Sequence, residues 1–193
     1  RIGAERPVGS VSAVDGFLGN ELIRIAAPEQ LDSVTSTLRD VGLGMVVDDL
    51  EEGMNRAAEA AAGEALSVLW ESVRTMTVAD AFGILDGGDT AATDYFRNRT
   101  GAELRSRFQP IVRSAMNEVG VARLHDRLVT MYTDLPLTGA PEVVSLEDHV
   151  TDRALDGLFT VLAASETLIR QDPVARPTEL LRRVSGRRHN PST

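Results

Sequence analysis

The chain has 193 residues, of which 42% are hydrophobic, 25% charged and only 4% aromatic, and its formal net charge is −9. These are the proportions of one globular domain with a core of aliphatic and small side chains, and they exclude a disordered polymer. The acidic balance argues against general binding of nucleic acid, which depends on neutralising phosphates; the absence of cysteine removes disulfides, thiolate metal sites and cysteine nucleophiles.

In chain order, Pro7 and Gly9 weaken a continuous helix over residues 1–14, which read as a helix remnant or a loose arm. Asp15-Gly16-Phe17-Leu18 is a turn carrying two apolar anchors. Leu22, Ile23 and Ile25 follow as a short extended segment that ends at Pro28. A first helix starts at Pro28, buries Leu31, Val34 and Leu38, and stops at Gly42. A second runs from after Gly44 to about residue 62, with Val47, Leu50, Met54, Ala57, Ala58 and Ala61 at the spacing of a buried stripe. A hinge at Gly63 separates it from a third helix over 64–74, expected to bury Leu66, Leu69, Trp70 and Val73.

The stretch Met76–Thr100 is a short amphipathic helix, a tight break and a second helix. Thr77 caps the first with Asp80 at its third position, a capping-box variant, and Val78, Ala81, Phe82 and Leu85 are expected to face inward. Asp86-Gly87-Gly88 stops it through the left-handed conformations open to glycine, and Asp89 is expected to cap the next helix, whose apolar side holds Ala92, Tyr95 and Phe96. Thr100 reads as a further cap, opening a helix through Leu104, Phe108 and Val112 that Pro110 should kink. Gly120 closes that helix; Val121, Leu124, Leu128 and Met131 mark another. Residues 135–144 form a loop. Ser145 caps a long helix with Val150, Ala154, Leu158 and Leu162, ended by Asp172-Pro173. A last short helix, about 177–184, precedes a basic tail over 185–193. Arg176, Arg182, Arg183, Arg187 and Arg188 make this C-terminal end cationic, either as a solvated helix or as a docking tail for anionic lipid or an acidic partner. The fold class is all-α, a single-domain bundle of about seven to nine helices over residues 15–184, with at most one short extended segment. No apolar run approaches the ~20 residues that span a bilayer.

These segments carry a family resemblance. DGFL (15–18), IRI (23–25) followed by Pro28, LRDVGLG (38–44), GMNRAAEAA (53–61), MTVADAFGILDGGDTAATDYFRNRT (76–100), FQPIV (108–112), VGV (119–121), ALDGLF (154–159) and IRQDPVAR (169–176) occur together in the order seen in the bacterial Domain of Unknown Function 4197 family. The chain resembles that family over about residues 15–184. The resemblance implies an all-helical fold and, because members typically carry an export or lipoprotein signal, a periplasmic or cell-envelope location. It implies no reaction, cofactor or named partner. The chain opens on Arg1 rather than Met, and a targeting segment or membrane tether is expected to lie upstream. His125 and His149 stand where the family often has Tyr.

Candidate chemistry rests on a few polar residues. Asn55, Arg56 and Glu59 share a polar stripe that either lines a cleft or is a solvated face. Asp80, Asp94 and Asp156 lie in segments that carry the resemblance, with Tyr95 and Arg97 beside Asp94 in sequence; paired carboxylates serve as acid and base or bind metal. Asp80 and Asp94 also read as helix-start charges, and Asp156, among apolar neighbours, needs a partner such as Arg97 or Arg56. Asp86 and Asp89 offer a weak cation loop that lacks the alternating acids of an EF-hand. His149, Asp152 and Asp156 share one helix face at zinc-like spacing without a full ligand set. Asn98-Arg99-Thr100 matches a glycosylation triplet by pattern alone. No nucleophile elbow, zinc-protease helix, P-loop or dinucleotide turn is present. Two readings follow. The first is a non-enzymatic binding module of the envelope for a protein partner or an apolar ligand, needing no cofactor. The alternative is a metal-assisted or acid–base enzyme of hydrolase type that uses the carboxylates of the central unit and of ALDGLF.

Overall fold

The computed structural model describes residues 2–136 and 144–171. Among them are eight α-helices and one 3-10 turn: α1 (Ile2–Val11), the turn Glu29–Leu31, α2 (Asp32–Asp40), α3 (Gly44–Ala62), α4 (Ala65–Arg74), α5 (Val78–Asp86), α6 (Ala91–Val119), α7 (Val121–Thr133) and α8 (Leu146–Gln171). The described residues contain no strand, and the fold is an all-α single domain. The expected last helix over 177–184, the basic tail and most of the 135–144 loop lie outside the described residues.

Helix α3 is the axis of the bundle. Val47, Leu50, Met54, Ala57, Ala58, Ala61 and Ala62 are all buried on it, and α1, α2, α6, α7 and α8 pack around it. Full burial of Leu50 or Met54 is worth about 2–3 kcal/mol each, while the alanines let neighbouring helices come close. The chain breaks after Ala62 at Gly63, as the sequence suggests, and α4 begins at Ala65.

Helices α6 and α8 run antiparallel along one side of α3. Leu104, Phe108 and Val112 of α6, together with Val150, Ala154, Leu158 and Leu162 of α8, form the seam. Outside it lies a ladder in which α6 supplies cations and α8 supplies carboxylates. Arg97 meets Asp156 at 2.9 Å and Arg113 meets Glu147 at 2.7 Å; between them Arg105 pairs with Asp148 at 3.1 Å and with Asp152. Gly120, at φ 74°, turns α6 directly into α7, a backbone conformation that glycine adopts without strain.

Of the two readings of residues 1–14, a helix remnant or a loose arm, Ile2–Val11 is helical, and Val8 and Val11, buried against the bundle, offset the backbone hydrogen bond lost at Pro7. Three other sequence expectations change. Helix α6 passes through Thr100 without a new start: the Thr100 hydroxyl donates to the Phe96 carbonyl at 2.6 Å instead of capping a new helix, and Pro110 lies inside the same helix. Helix α4 is rotated, burying Ala65, Val68, Leu69 and Ser72, with Leu66 and Trp70 half-buried and Val73 exposed. Gly87 has φ −80° and Gly88 has no positive φ either, so neither is a left-handed stop. Gly87 is instead a close-approach position, since a Cβ there would stand 2.5 Å from the Cβ of Ala91.

Candidate functional site

The eight candidate side chains do not converge on one cleft. They fall into three groups, each tied to backbone or to an opposite charge.

The first group is a clamp on α3. Residues 15–27 form no regular element and must satisfy their backbone groups elsewhere. Helix α3 supplies the partners. Glu59, 5% exposed, accepts from the N–H of Phe17 at 3.1 Å and of Leu18 at 3.3 Å. Asn55, 0% exposed, accepts from the Ile25 N–H at 2.9 Å and donates to the Ile25 carbonyl at 2.8 Å and the Glu51 carbonyl at 2.7 Å. Glu51, one turn earlier, accepts from the Ala27 N–H at 3.4 Å and pairs with Arg24 at 3.3 Å. Arg56 bonds Glu59 and Asp15, both at 2.9 Å, and its guanidinium is held even more firmly protonated by Glu59 first and Asp15 second. Asp15 sits at φ 64°, a conformation that Asp tolerates better than most residues. Asn55 and Glu59 of the stripe are thus buried against the backbone of residues 17–25. The stripe anchors the DGFL–IRI segment, and Phe17 and Ile25 are buried beneath it. From the other side His149 Nε2 lies 3.0 Å from the Ala26 carbonyl, and burial pushes the imidazole pKa down.

The second group organises α5 and the start of α6. Thr77 and Asp80 form the expected capping box, with Thr77 N–H donating to Asp80 at 3.0 Å and Asp80 N–H donating to the Thr77 hydroxyl at 3.1 Å. The hydroxyl and backbone of Thr77, with smaller help from Tyr95 and Arg99, hold the Asp80 carboxyl below its ordinary value. The Tyr95 hydroxyl donates to Asp80 at 3.3 Å, and the Tyr95 ring packs edge-on to Phe96. Asp94 accepts from the Thr90 hydroxyl at 3.0 Å. Asp89 does not cap α6: the N-cap is Thr90, and the free N–H groups of Ala92 and Thr93 go to Glu166 of α8 at 2.9 and 2.8 Å. Arg170 holds Glu166 at 2.8 Å and donates to the Ile84 carbonyl near the end of α5, also at 2.8 Å. One turn of α8 therefore seals both sides of the Asp86–Asp89 break.

The third group is the upper rung of the ladder. Asp156 is exposed rather than buried and pairs with Arg97, whose guanidinium also lies 4.7 Å from the centre of the Phe159 ring. Asp152 is paired with Arg105 and His149 faces Ala26, so the zinc-like triplet is spread over three separate contacts. Among the described residues no group of three or more His, Asp or Glu is placed to hold a metal ion, and no helix is long and apolar enough to cross a membrane.

Sequence reasoning missed Glu51, Glu166 and Arg170. The four-residue spacing of Glu166 and Arg170 is visible, but nothing local ties Glu166 to an N–H 74 positions away. The largest departure is α5 itself. Val78, Phe82 and Leu85 stand at i, i+4 and i+7 on one face, and that face meets solvent, with exposures of 74%, 60% and 38%. No residue of α5 is buried. Asp80, Ala81 and Ile84 turn toward the body of the protein instead, the half-buried side of the helix.

The structure defines a single-domain helical protein in which the candidate carboxylates Glu59 and Asp156 are ion-paired, Asp80 belongs to a capping box, and the apolar helix α5 has no buried residue. The chain belongs to the DUF4197 family, proteins of unknown function, whose profile matches residues 1–186. No curated protein and no solved structure matches it.

Proposed function

We propose that this protein is a non-catalytic interaction module of the bacterial cell envelope, and that it binds a protein partner through the apolar face of α5. One observation carries the reading: Val78, Phe82 and Leu85 form a continuous helical stripe exposed to water. Isolated exposed apolar residues are ordinary, but a stripe at i, i+4 and i+7 is the pattern by which helices dock on partners. The base of the helix is rigidly held. The Thr77–Asp80 box fixes its start and Arg170 fixes its end, which presents the stripe without ordering cost at the moment of binding. The envelope location is part of the same proposal and rests on the export signals typical of the resembling family.

The test places a photo-reactive side chain at position 82 of the full chain in living bacteria, with position 126 on α7 as an exposed control. A discrete crosslinked species at position 82, absent at 126 and lost when Val78→Asp and Leu85→Asp are added, is expected. Identical crosslinking with and without those two substitutions, in a protein of unchanged circular dichroism, would overturn the reading.

A further inference from the structure

We propose that the groove between α3 and α8 is a binding site for an extended peptide of the pattern aliphatic–basic–aliphatic, and that residues 23–27 of the chain itself are its resident occupant. The site lies apart from α5 and does not rest on the reading of that face.

The occupant has the form of a bound strand. Residues 24–28 belong to no helix or turn, and the side chains alternate as in a strand, with Ile23 and Ile25 buried and Arg24 and Ala26 exposed. A strand gives its main-chain groups to a neighbouring strand; here helix side chains take them. Asn55 of α3 pairs with both the N–H and the carbonyl of Ile25, at 2.9 and 2.8 Å. Glu51 of α3 accepts from the Ala27 N–H at 3.4 Å, and His149 of α8 donates to the Ala26 carbonyl at 3.0 Å. Both walls of the groove therefore read peptide backbone, which any extended segment carries, and selectivity falls to the side-chain pockets.

Those pockets have a defined chemistry. Gly157 of α8 makes the apolar room, since a Cβ there would stand 3.1 Å from the Cβ of Ile23 and 2.5 Å from the Phe17 ring. Glu51, only 8% exposed, pairs with Arg24 at 3.3 Å and selects the cation between the two aliphatic positions. The groove also keeps its own counter-ions. Arg39 lies 3.6 Å from Glu51, and Arg56 meets Glu59 at 2.9 Å. Departure of residues 23–27 thus leaves neither buried carboxylate without a cation, which is the event that makes breaking a buried pair costly. A cradle whose charges stay balanced when it empties can exchange its occupant.

The test uses the full chain and a fluorescent peptide that repeats residues 20–28. Ile25→Ala in the chain loosens the resident and should raise the affinity for the peptide at least tenfold over the wild type. N-methylation of the peptide at its Ile25 removes the N–H that Asn55 accepts and should lower that affinity at least tenfold, as should Asn55→Ala added to the chain. Absence of saturable binding to both chains, or binding indifferent to N-methylation, would overturn the proposal. Native-state hydrogen exchange of the wild type decides without any variant. The amides of Ile25 and Ala27 should be at least tenfold less protected than those of Leu50 and Met54 in α3, through an opening that leaves α3 folded. Equal protection of all four would show that the resident leaves only when the whole protein unfolds, and the proposal would fall.

Discussion

Replacing Asn55 tests whether the α3 clamp, rather than burial of Phe17 and Ile25 alone, holds residues 15–27. Asn55→Ala removes the acceptor for the Ile25 N–H and the donor for the Ile25 and Glu51 carbonyls. Asn55 itself is fully buried. A buried backbone group left without a partner costs about 1–3 kcal/mol, and two such groups of Ile25 are stranded, giving an expected loss of about 3 kcal/mol. Against a total of about 5–15 kcal/mol this is a large fraction. At about 2–4 °C per kcal/mol for a chain of this length, the melting temperature should fall by about 6–12 °C. Asn55→Asp, nearly the same size, keeps one acceptor and sets a carboxylate oxygen against two carbonyls; it should lose at least as much, which separates hydrogen bonding from packing. Thermal unfolding followed by circular dichroism gives the loss, and native-state hydrogen exchange at the Ile25 amide gives its location. A loss below about 0.5 kcal/mol for Asn55→Ala, or an Ile25 amide as protected as before, would refute the clamp.

Three further outcomes are expected. Glu166→Ala should cost about 2 kcal/mol, the value of a charged acceptor on two helix-start N–H groups, and should speed exchange at the amides of Ala92 and Thr93; unchanged exchange there would show that water caps α6 equally well. Gly87→Ala forces a Cβ to within 2.5 Å of Ala91 and should destabilise by about 1–3 kcal/mol, whereas Gly88→Ala, with open space around it, should be neutral or stabilising by up to about 1 kcal/mol; urea titration of the pair decides, and equal effects would be fatal. For His149 the folded pKa lies below the ordinary 6.5 because burial disfavours the cation. The unfolded chain therefore takes up the proton first, so the stability contributed by neutral His149 is present above pH ~6.5 and is lost as pH falls toward the lower folded value. Melting temperatures between pH 7.5 and pH 5.5 should fall in the wild type and fall less in His149→Gln; parallel profiles would exclude His149 as the source.

The bundle was legible because its strongest signal is local. The α3 stripe repeats over five turns, so its phase is overdetermined, and each residue expected to be buried on it is buried. The Thr77–Asp80 capping box and Ser145 as cap of α8, which accepts from the Asp148 N–H at 3.2 Å, were legible for the same reason: donor and acceptor lie three residues apart. Where two rules compete, the local reading loses. Thr100 has the chemistry of a cap, but the apolar series Leu104, Phe108, Val112 continues in phase with Phe96, and burial of that face carries α6 through both Thr100 and Pro110. Helix α4, with three turns and apolar residues on more than half of its circumference, fixes its phase less firmly and is rotated from the expected one.

The polar residues show why function was harder to read than fold. A carboxylate has the same letter whether it binds a substrate, neutralises an arginine or ends a helix, and the distinction lies in partners far along the chain. Asp89 had every local mark of a cap, yet Glu166 took the two N–H groups, because a carboxylate held by Arg170 and sheltered by α8 is a stronger acceptor than one turned to water. Once that substitution of partners is recognised, the purpose of the Asp86–Asp89 break changes. It is the joint at which α8 grips α5 and α6. The periodicity of Val78, Phe82 and Leu85 established that a stripe exists, and only the tertiary structure shows that the bundle does not cover it. An apolar stripe built with helix-forming regularity, capped at one end and clamped at the other, is held in an exposed position, and this is what supports the proposed docking role.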